Sequence, residues 1–271
     1  TEKSIERIFD KAIVYQDASE EVKSVIRTDM LFCRFAYGFI PAEYVTYNLE
    51  RLSMDERNSF ISERDHICFS FMMNDAFEWQ LFNDKMKTYQ RFDKYYGRDI
   101  ISVERADDYS RFESFIQNHP VFVKKDVYES CGNGIEKIDV HEQEKSVREL
   151  FSSFVNGGKT IIEECVAQGA ETEVFNSSSV NTVRCITFRT KHGVVAPYCF
   201  MKIGRKGSFV DNGGAGGILV GIDEKTGVLN TNGIDEMRNV YTVHPDSGVC
   251  FVGHQLPKWD EMINMCIEMS S

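Results

Sequence analysis

The sequence predicts an α+β protein in which a mostly helical N-terminal region, residues 1–118, is followed by a mostly antiparallel sheet with flanking helices, residues 119–271. Apolar residues in the first region recur at helical spacing, as at Ile5 and Phe9, because one face of a helix returns every three or four residues. After Pro120, short β-rich runs alternate with glycine-containing turns. That alternation is typical of antiparallel hairpins.

The helical region is rich in aromatic side chains, among them Phe35, Phe39, Tyr44 and Trp79. Aromatic residues at helical spacing bury large apolar areas and usually form core. We therefore predict that these residues pack inside the protein. The alternative is that some of them line an acceptor pocket.

The second region begins with a predicted hairpin. A strand at 121–124 ends in Lys124, a polar loop with glycines follows, and 135–140 forms the return strand. The remaining predicted elements are a helix at 141–154, an extended run at 161–166, strands at 183–189, 194–203 and 217–222, and a final helix at 258–271.

Composition and charge limit the possible functions. The 271-residue chain is 42% hydrophobic and 27% charged, which is ordinary for a globular protein. Its net charge of -11 argues against nucleic acid or an acidic membrane surface as a partner, because binding them needs a basic face. No apolar run approaches the roughly 18 residues of a membrane span, and the polar start at Thr1 does not resemble a signal peptide.

Cysteine and histidine usage points to a reducing compartment. The 8 cysteines include no Cys-x-x-Cys spacing, which favours buried thiols over a disulfide framework or a zinc site. The 6 histidines show no metal-binding spacing, and His244 is the one with the best case for a function. We expect a cytoplasmic protein.

Charged and amide residues stand at the ends of the predicted strands between 161 and 227. Arg184 and Lys202 can neutralise phosphate charge, and Asp211 and Asn212 offer the oxygen ligands that magnesium prefers. The glycine-rich run that follows can approach a ligand closely because it lacks Cβ atoms. These features suit a nucleoside triphosphate with its metal. The alternative is a sheet edge with polar ends and a flexible hairpin.

Glu163 and Glu164 are adjacent on an extended run. Neighbouring side chains on a strand point to opposite faces, so the two carboxylates are not predicted to share a proton. One of them suits a hinge whose backbone groups meet the edge of an adenine.

The order of five motifs resembles the ATP-grasp superfamily, and most closely the sugar-transfer-associated ATP-grasp family that is linked to bacterial surface polysaccharide genes. The motifs are Lys85 in a helix, Phe-Val-Lys ending at Lys124, Ile-Ile-Glu-Glu-x-Val at 161–166, Asn-Thr-Val-Arg at 181–184 and Val-Asp-Asn at 210–212. The resemblance covers most of the chain and implies an ATP-grasp fold.

Five residues are implied at the phosphates. Lys85 resembles the lysine that reaches the phosphates from the smaller subdomain, and Lys124 resembles the lysine on the first central strand. The loop with Ser130, Gly132 and Gly134 resembles the flap that covers the phosphates.

The resemblance also assigns the rest of the nucleotide site. Glu163, Glu164 and Val166 match the hinge that holds adenine, and either Glu171 or Gln168 meets the ribose. The residues implied in phosphoryl transfer are Arg184 and Lys202, and those implied at the metal are Asp211 and Asn212.

The end of the sequence departs from the family pattern. ATP-grasp chains usually finish with a strand whose Glu-x-Asn pair binds magnesium, and this sequence reaches Ser271 without one. The nearby substitutes are Asp211, Asn212, Asp223 and Asn230. Three interpretations stay open: a truncated sequence, a different arrangement of the metal, or reduced activity.

The implied function is an ATP-dependent ligase that joins a carboxylate to an amine through an acyl phosphate, with ATP and Mg2+, in surface polysaccharide biosynthesis. Its substrates would be small or sugar-linked molecules. Two alternatives remain: a nucleotide-binding protein without turnover, and a phosphotransferase acting on a sugar hydroxyl. The sequence identifies neither the acid, the amine nor the oligomeric state.

Overall fold

The computed structural model describes residues 2–127 and 134–271, which form an α+β fold with a helical N-terminal region and two antiparallel sheets. The helices are α1 (Glu2–Lys11), α2 (Ile13–Gln16), α3 (Glu20–Ala36), α4 (Pro41–Thr46), α5 (Met54–Arg57), α6 (Glu63–Met73), α7 (Trp79–Asn83), α8 (Lys85–Tyr96), α9 (Tyr109–Asn118), α10 (Val147–Gly157), α11 (Ala170–Glu173) and α12 (Trp259–Met269).

The strands form a four-stranded sheet A, in the order β1-β4-β2-β3, and a five-stranded sheet B, in the order β5-β6-β7-β8-β9. They are β1 (Ile100–Val103), β2 (Val121–Asp126), β3 (Glu136–Asp139), β4 (Thr160–Glu164), β5 (Thr182–Thr190), β6 (Gly193–Ile203), β7 (Ile218–Ile222), β8 (Gly233–Ile234) and β9 (Val240–Tyr241). Within the two described ranges, no helix is both long and apolar enough to cross a bilayer.

The helical region packs around its own core, as its apolar spacing predicts. Phe39 and Tyr44 are buried in this core, which also includes Met237 from the far end of the chain. The prediction that the aromatic residues are core is wrong for Phe35, whose side chain is 81% exposed, and for Trp79, which is 43% exposed. Helical spacing identifies a face, but it does not tell which face meets the core.

Sheet A begins with a strand that lies inside the region predicted to be helical. β1 pairs with β4, so that Ile100 lies opposite Glu163 and Val103 opposite Thr160. This pairing joins residues on both sides of the predicted boundary at 118–119. The helices α9 and α10 cover one face of the sheet and share a core with it.

The helix α10 begins later than its apolar pattern predicts. Ser146 is its N-cap: the Ser146 hydroxyl accepts from the Glu149 amide at 3.3 Å, and Glu149 Oε2 accepts from the Ser146 amide at 2.9 Å. This capping box satisfies two backbone donors at the helix start. Before it, Asp139 accepts from the His141 amide at 2.9 Å and holds a turn, so the predicted start at 141 is wrong.

Sheet B is built on the long hairpin of β5 and β6, and its predicted strands are confirmed to within one residue. Its inner face carries Met201, Ile203 and Val220, which are fully buried. Trp259 at the start of α12 belongs to the same core. The opposite face therefore carries the polar and half-exposed side chains of these strands.

Candidate functional site

The outer face of sheet B gathers the cations predicted for phosphoryl transfer. Thr182 lies directly opposite Lys202, and Arg184 lies directly opposite Phe200. Opposite residues in an antiparallel pair share a face, as do residues two apart on a strand. Arg184 and Lys202 therefore project from the same face of the hairpin.

The Asp211 carboxylate lies beside this face and is held by two residues. Lys202 Nζ is 3.0 Å from Asp211 Oδ1, and the Thr182 amide donates to Oδ2 at 3.1 Å. The Thr182 hydroxyl also donates to Oδ2. The structure thus brings the predicted metal ligand Asp211 and the predicted cation Lys202 together as an ion pair. Asn212 follows directly and caps the glycine turn.

Arg184 differs from Lys202 because its guanidinium makes no hydrogen bond or ion pair with another described residue. Two residues further along the same face, Ile186 lies opposite Tyr198. Their side chains are 40% and 64% exposed. An exposed cation next to an apolar platform suits a ligand with both phosphate and a flat ring.

The start of β5 is fixed by a network of amide hydrogen bonds, and Gln168 is part of that network. Gln168 Oε1 accepts from the Asn181 amide at 2.5 Å, and Gln168 Nε2 donates to the Asn176 carbonyl at 3.0 Å. Both ends of Gln168 therefore hold the backbone. The Glu171 carboxylate has no hydrogen bond or ion pair within the described part of the chain. Of the two ribose candidates, Glu171 is the available one.

In sheet A, the two adjacent lysines on β2 point to opposite faces. Val123 lies opposite Glu163, which places Lys125 on the Glu163 face, and Lys125 Nζ is 2.6 Å from Glu163 Oε2. Lys124 lies on the other face, where its Nζ is 3.1 Å from Asp126 Oδ1. Lys124 is the lysine predicted from the sequence, and Lys125 is its neighbour on the opposite face. The alternation of strand side chains is the signal that separates them.

Glu163 is the most enclosed charge of sheet A. Its side chain is 8% exposed, and Arg98 Nη2 lies 3.2 Å from Glu163 Oε2, the oxygen that also meets Lys125. Glu164 points the other way, and its Oε2 accepts from the Asp99 amide at 3.0 Å. The opposite orientation of the two carboxylates agrees with the prediction. Val166, further along the hinge, is 43% exposed.

Lys85 reaches the point where the predicted flap begins. Asp84 is the N-cap of α8 and accepts from the Met86 amide at 2.9 Å. Burial alone would raise the pKa of Asp84, but the hydrogen bond from Lys159 and those from backbone amides hold it below its ordinary value. From this fixed helix start, Lys85 Nζ donates to the carbonyls of Asp126 at 2.8 Å and Val127 at 3.0 Å.

Gly134 is the described residue of the predicted flap. Its φ of 68° is in the left-handed region, and a Cβ there would meet the Asp126 carboxylate. Glycine is therefore favoured at this turn. Ser130 and Gly132 lie outside the described residues.

A cavity of about 470 Å³ lies beside the glycine turn, and the sequence analysis did not anticipate it. Its walls are the 213–216 turn, the 235–239 loop and two basic residues of α1, Arg7 and Lys11. Gly217 closes the turn without room for a side chain, because a Cβ there would meet the backbone carbonyl of Asp211. The first residue of this wall, Gly213, directly follows the predicted metal ligands in the chain.

His244 is a structural residue. Its ring is fully buried, and its Nε2 lies 3.0 Å from the Gly204 carbonyl, to which it donates. Nδ1 then accepts from the Ser247 hydroxyl at 3.2 Å. Burial lowers the pKa of His244, and its two hydrogen bonds tie two loops together.

The fold is that of an ATP-grasp protein. The chain belongs to the sugar-transfer associated ATP-grasp family, whose family model matches residues 66–271. The match includes both sheets and leaves α1 to α5 outside. The resemblance seen in the sequence is confirmed, and the membership supports ATP-dependent, ligase-like chemistry as the class of function.

Among solved structures, the chain is similar to D-alanyl-alanine synthetase A from Vibrio cholerae O1 biovar eltor, with 8% sequence identity and a TM-score of 0.35. The similarity covers 47% of this chain, and it spans 35% of the length of that enzyme. A search of the curated proteins finds no match.

Proposed function

We propose that the protein is an ATP-dependent ligase that joins a carboxylate to an amine through an acyl phosphate, in the synthesis of a bacterial surface polysaccharide. The observation that carries this proposal is the outer face of sheet B. There an arginine without a partner among the described residues, a lysine, a carboxylate and an apolar platform lie together in a member of an ATP-grasp family.

The proposed reaction has two steps. A carboxylate oxygen of the acid substrate attacks the γ-phosphorus, the bond from phosphorus to the β–γ bridging oxygen breaks, and ADP leaves. The amine nitrogen then attacks the acyl carbon, the bond from carbon to the phosphate oxygen breaks, and phosphate and a proton leave. Phosphoryl transfer of this kind is catalysed by positioning and charge neutralisation. Arg184 and Lys202 supply that charge.

Asp211 and Asn212 fit a magnesium ion that is held mainly by phosphates. Magnesium in nucleotide sites usually keeps several waters and takes one or two protein oxygens besides phosphate. The hydrogen bonds from Lys202 and Thr182 leave acceptor capacity on Asp211 Oδ1. When bound, the ion would neutralise phosphate charge.

In sheet A, we assign the phosphate contact to Lys125 together with Lys85. The Lys124 face of the sheet is the one that packs against α9 and α10, since Phe122 and Ile162 on that face belong to the core with those helices. Lys125 and Glu163 lie on the face without them. The phosphate contact by Lys124 that the sequence predicts remains a prediction, and the ATP titration described next tests it.

Calorimetric titration of ATP, with and without Mg2+, tests the nucleotide site on the parent protein and on two matched variants. Lys125→Met should weaken magnesium-dependent ATP binding at least about tenfold, or about 1.4 kcal/mol. Lys124→Met removes the same charge from the opposite face and should leave the affinity within about twofold.

The reverse order of the two variants would return the phosphate contact to Lys124. Absence of ATP binding to the folded parent protein would refute the nucleotide site. Product mass then separates the reactions, because ligation releases ADP and free phosphate with an amide product, whereas sugar phosphorylation leaves the phosphate on the product.

A further inference from the structure

The cavity beside the glycine turn is closed by a part of the chain that the family match does not include. Arg7 and Lys11 belong to α1, whereas the opposite wall belongs to the matched residues. Arg7 Nη2 donates to the Gly214 carbonyl at 3.3 Å, which holds α1 against the turn. The helix is therefore a wall of the cavity that lies outside the residues matched by the family model.

The cavity presents two cations on one side. Arg7 and Lys11 are four residues apart on α1, so they project from the same helix face. Lys11 forms no ion pair with any described residue. Both side chains are exposed to solvent. This edge of the cavity can bind a carboxylate.

The opposite wall presents one available anion, Glu236. The neighbouring Asp235 is already occupied: its Oδ1 accepts from the Met237 and Asn239 amides at 2.9 Å each. Its Oδ2 accepts from the Asn239 side chain at 2.8 Å and from the Tyr241 hydroxyl at 3.1 Å. Among the described residues, Arg7 alone forms an ion pair with the Glu236 carboxylate, at 3.3 Å from Nη2.

The Arg7–Glu236 pair can open for a ligand. The two side chains are 44% and 39% exposed, and exposed pairs of this kind contribute little because water screens them. A ligand with one positive and one negative group can replace this ion pair, because Arg7 and Glu236 each keep a partner of opposite charge. A pure anion would meet the Glu236 charge, and a pure cation would meet Arg7 and Lys11.

We infer that the cavity binds the amine substrate as a free amino acid, with its α-carboxylate on Arg7 and Lys11 and its ammonium group on Glu236. That the bound amino acid is a substrate rests on the proposed function. The binding site itself is inferred only from the cavity and its charges. A volume of about 470 Å³ lies within the range of small-molecule sites, about 300–1,000 Å³, so an amino acid with a side chain fits.

The experiment titrates four amino acids, glycine, L-alanine, L-serine and L-glutamate, into the parent protein by ligand-observed NMR and calorimetry. The best binder is compared with its N-acetyl derivative, which lacks the ammonium group, and with its amide, which lacks the carboxylate. Both derivatives should bind at least about tenfold more weakly than the free amino acid. Equal binding of the N-acetyl derivative overturns the zwitterion assignment, and no binding by any of the four overturns the site.

Matched variants place the ligand in this cavity. Lys11→Met and Glu236→Gln should each weaken the best binder at least about tenfold, and Glu236→Gln should remove the preference over the N-acetyl derivative. Lys3→Met removes the same charge from α1 outside the cavity and should have no effect. If Lys3→Met weakens binding as much as Lys11→Met, the site is not this cavity.

ATP titration of the same samples separates this inference from the proposed function. Amino-acid binding without ATP binding would keep the cavity site and refute the ligase. ATP binding without amino-acid binding would refute the cavity site and leave the ligase with another amine.

Discussion

The two sheets hold their charges in different ways. In sheet A, the enclosed Glu163 is matched by Arg98 at 3.2 Å and Lys125 at 2.6 Å. On sheet B, Lys202 is matched by Asp211 at 3.0 Å, but Arg184 has no partner among the described residues. The charges around Glu163 in sheet A thus form a matched network, whereas Arg184 on the outer face of sheet B is a cation without a partner among the described residues.

The difference separates charges that stabilise the fold from charges that are available to bind a ligand. A buried carboxylate with two cations contributes to the fold because removing one member leaves the others uncompensated. An exposed arginine without a partner contributes little to stability, so it can turn toward a ligand at small cost. We therefore expect the Glu163 variant of sheet A to affect folding first and the Arg184 variant of sheet B to affect chemistry first.

The largest expected effect is on turnover, from Arg184→Met. Loss of a cation that meets the transferred phosphate should lower the rate of ADP release by about 10²–10³-fold, or about 3–4 kcal/mol. The free energy of unfolding should stay within about 0.5 kcal/mol of the parent value. Lys191→Met, at the tip of the same hairpin, is the charge-matched control and should change neither. An unchanged rate of ADP release in Arg184→Met would contradict the availability of this cation.

The next effect is on stability, from Glu163→Gln in sheet A. The substitution keeps the shape but leaves Arg98 and Lys125 without a counter-charge, and we expect a loss of about 2–3 kcal/mol in urea unfolding. Glu164→Gln, whose side chain is 38% exposed, should cost less than about 1 kcal/mol. Equal losses in the two variants would show that the charges around Glu163 do not form a matched network.

The smallest expected effect is a pH dependence of the free energy of unfolding, which comes from the ion pair of Arg205 and Asp246 after β6. The hydrogen bond from Arg205 holds the pKa of Asp246 at about 2, below its usual 3.8. Because the folded-state pKa is the lower one, the stabilisation is complete above pH 3.8 and is lost as the pH falls toward 2. Asp246→Asn should be about 1–2 kcal/mol less stable than the parent at pH 7.

Urea unfolding at a series of pH values measures that difference, which should shrink below about pH 4 and vanish only below about pH 2. Asp107→Asn, an exposed aspartate without a paired cation in the described structure, should follow the parent at every pH. A difference that persists unchanged at low pH would exclude the Arg205 pair as its source.

Much of sheet B could be predicted from sequence because its residues alternate. β5, β6 and β7 were located to within one residue, and the clustering of Arg184, Lys202 and Asp211 follows from the hairpin that joins β5 to β6. Local patterns suffice where the residues that meet are carried by neighbouring strands.

The remaining features depend on contacts between distant parts of the chain. β1 is a four-residue strand whose partner, β4, lies about sixty residues later, and such a short run has no distinctive period. Choosing Lys125 over Lys124 requires the register of β2 against β4. The cavity at Glu236 requires α1, more than two hundred residues away. No local pattern contains that information.

Met237 makes the 235–239 loop of the cavity depend on the core of the helical region. Its side chain is 7% exposed and belongs to the core of the helical region, with Ile5 and Met30, rather than to the core of sheet B. Arg238 adds a hydrogen bond to Asn48 Oδ1 at 2.6 Å. In hydrogen-exchange terms, the 235–239 loop should open together with the N-terminal helices as one cooperative unit. Local unfolding at the first helices would thus dismantle both walls of the cavity at once.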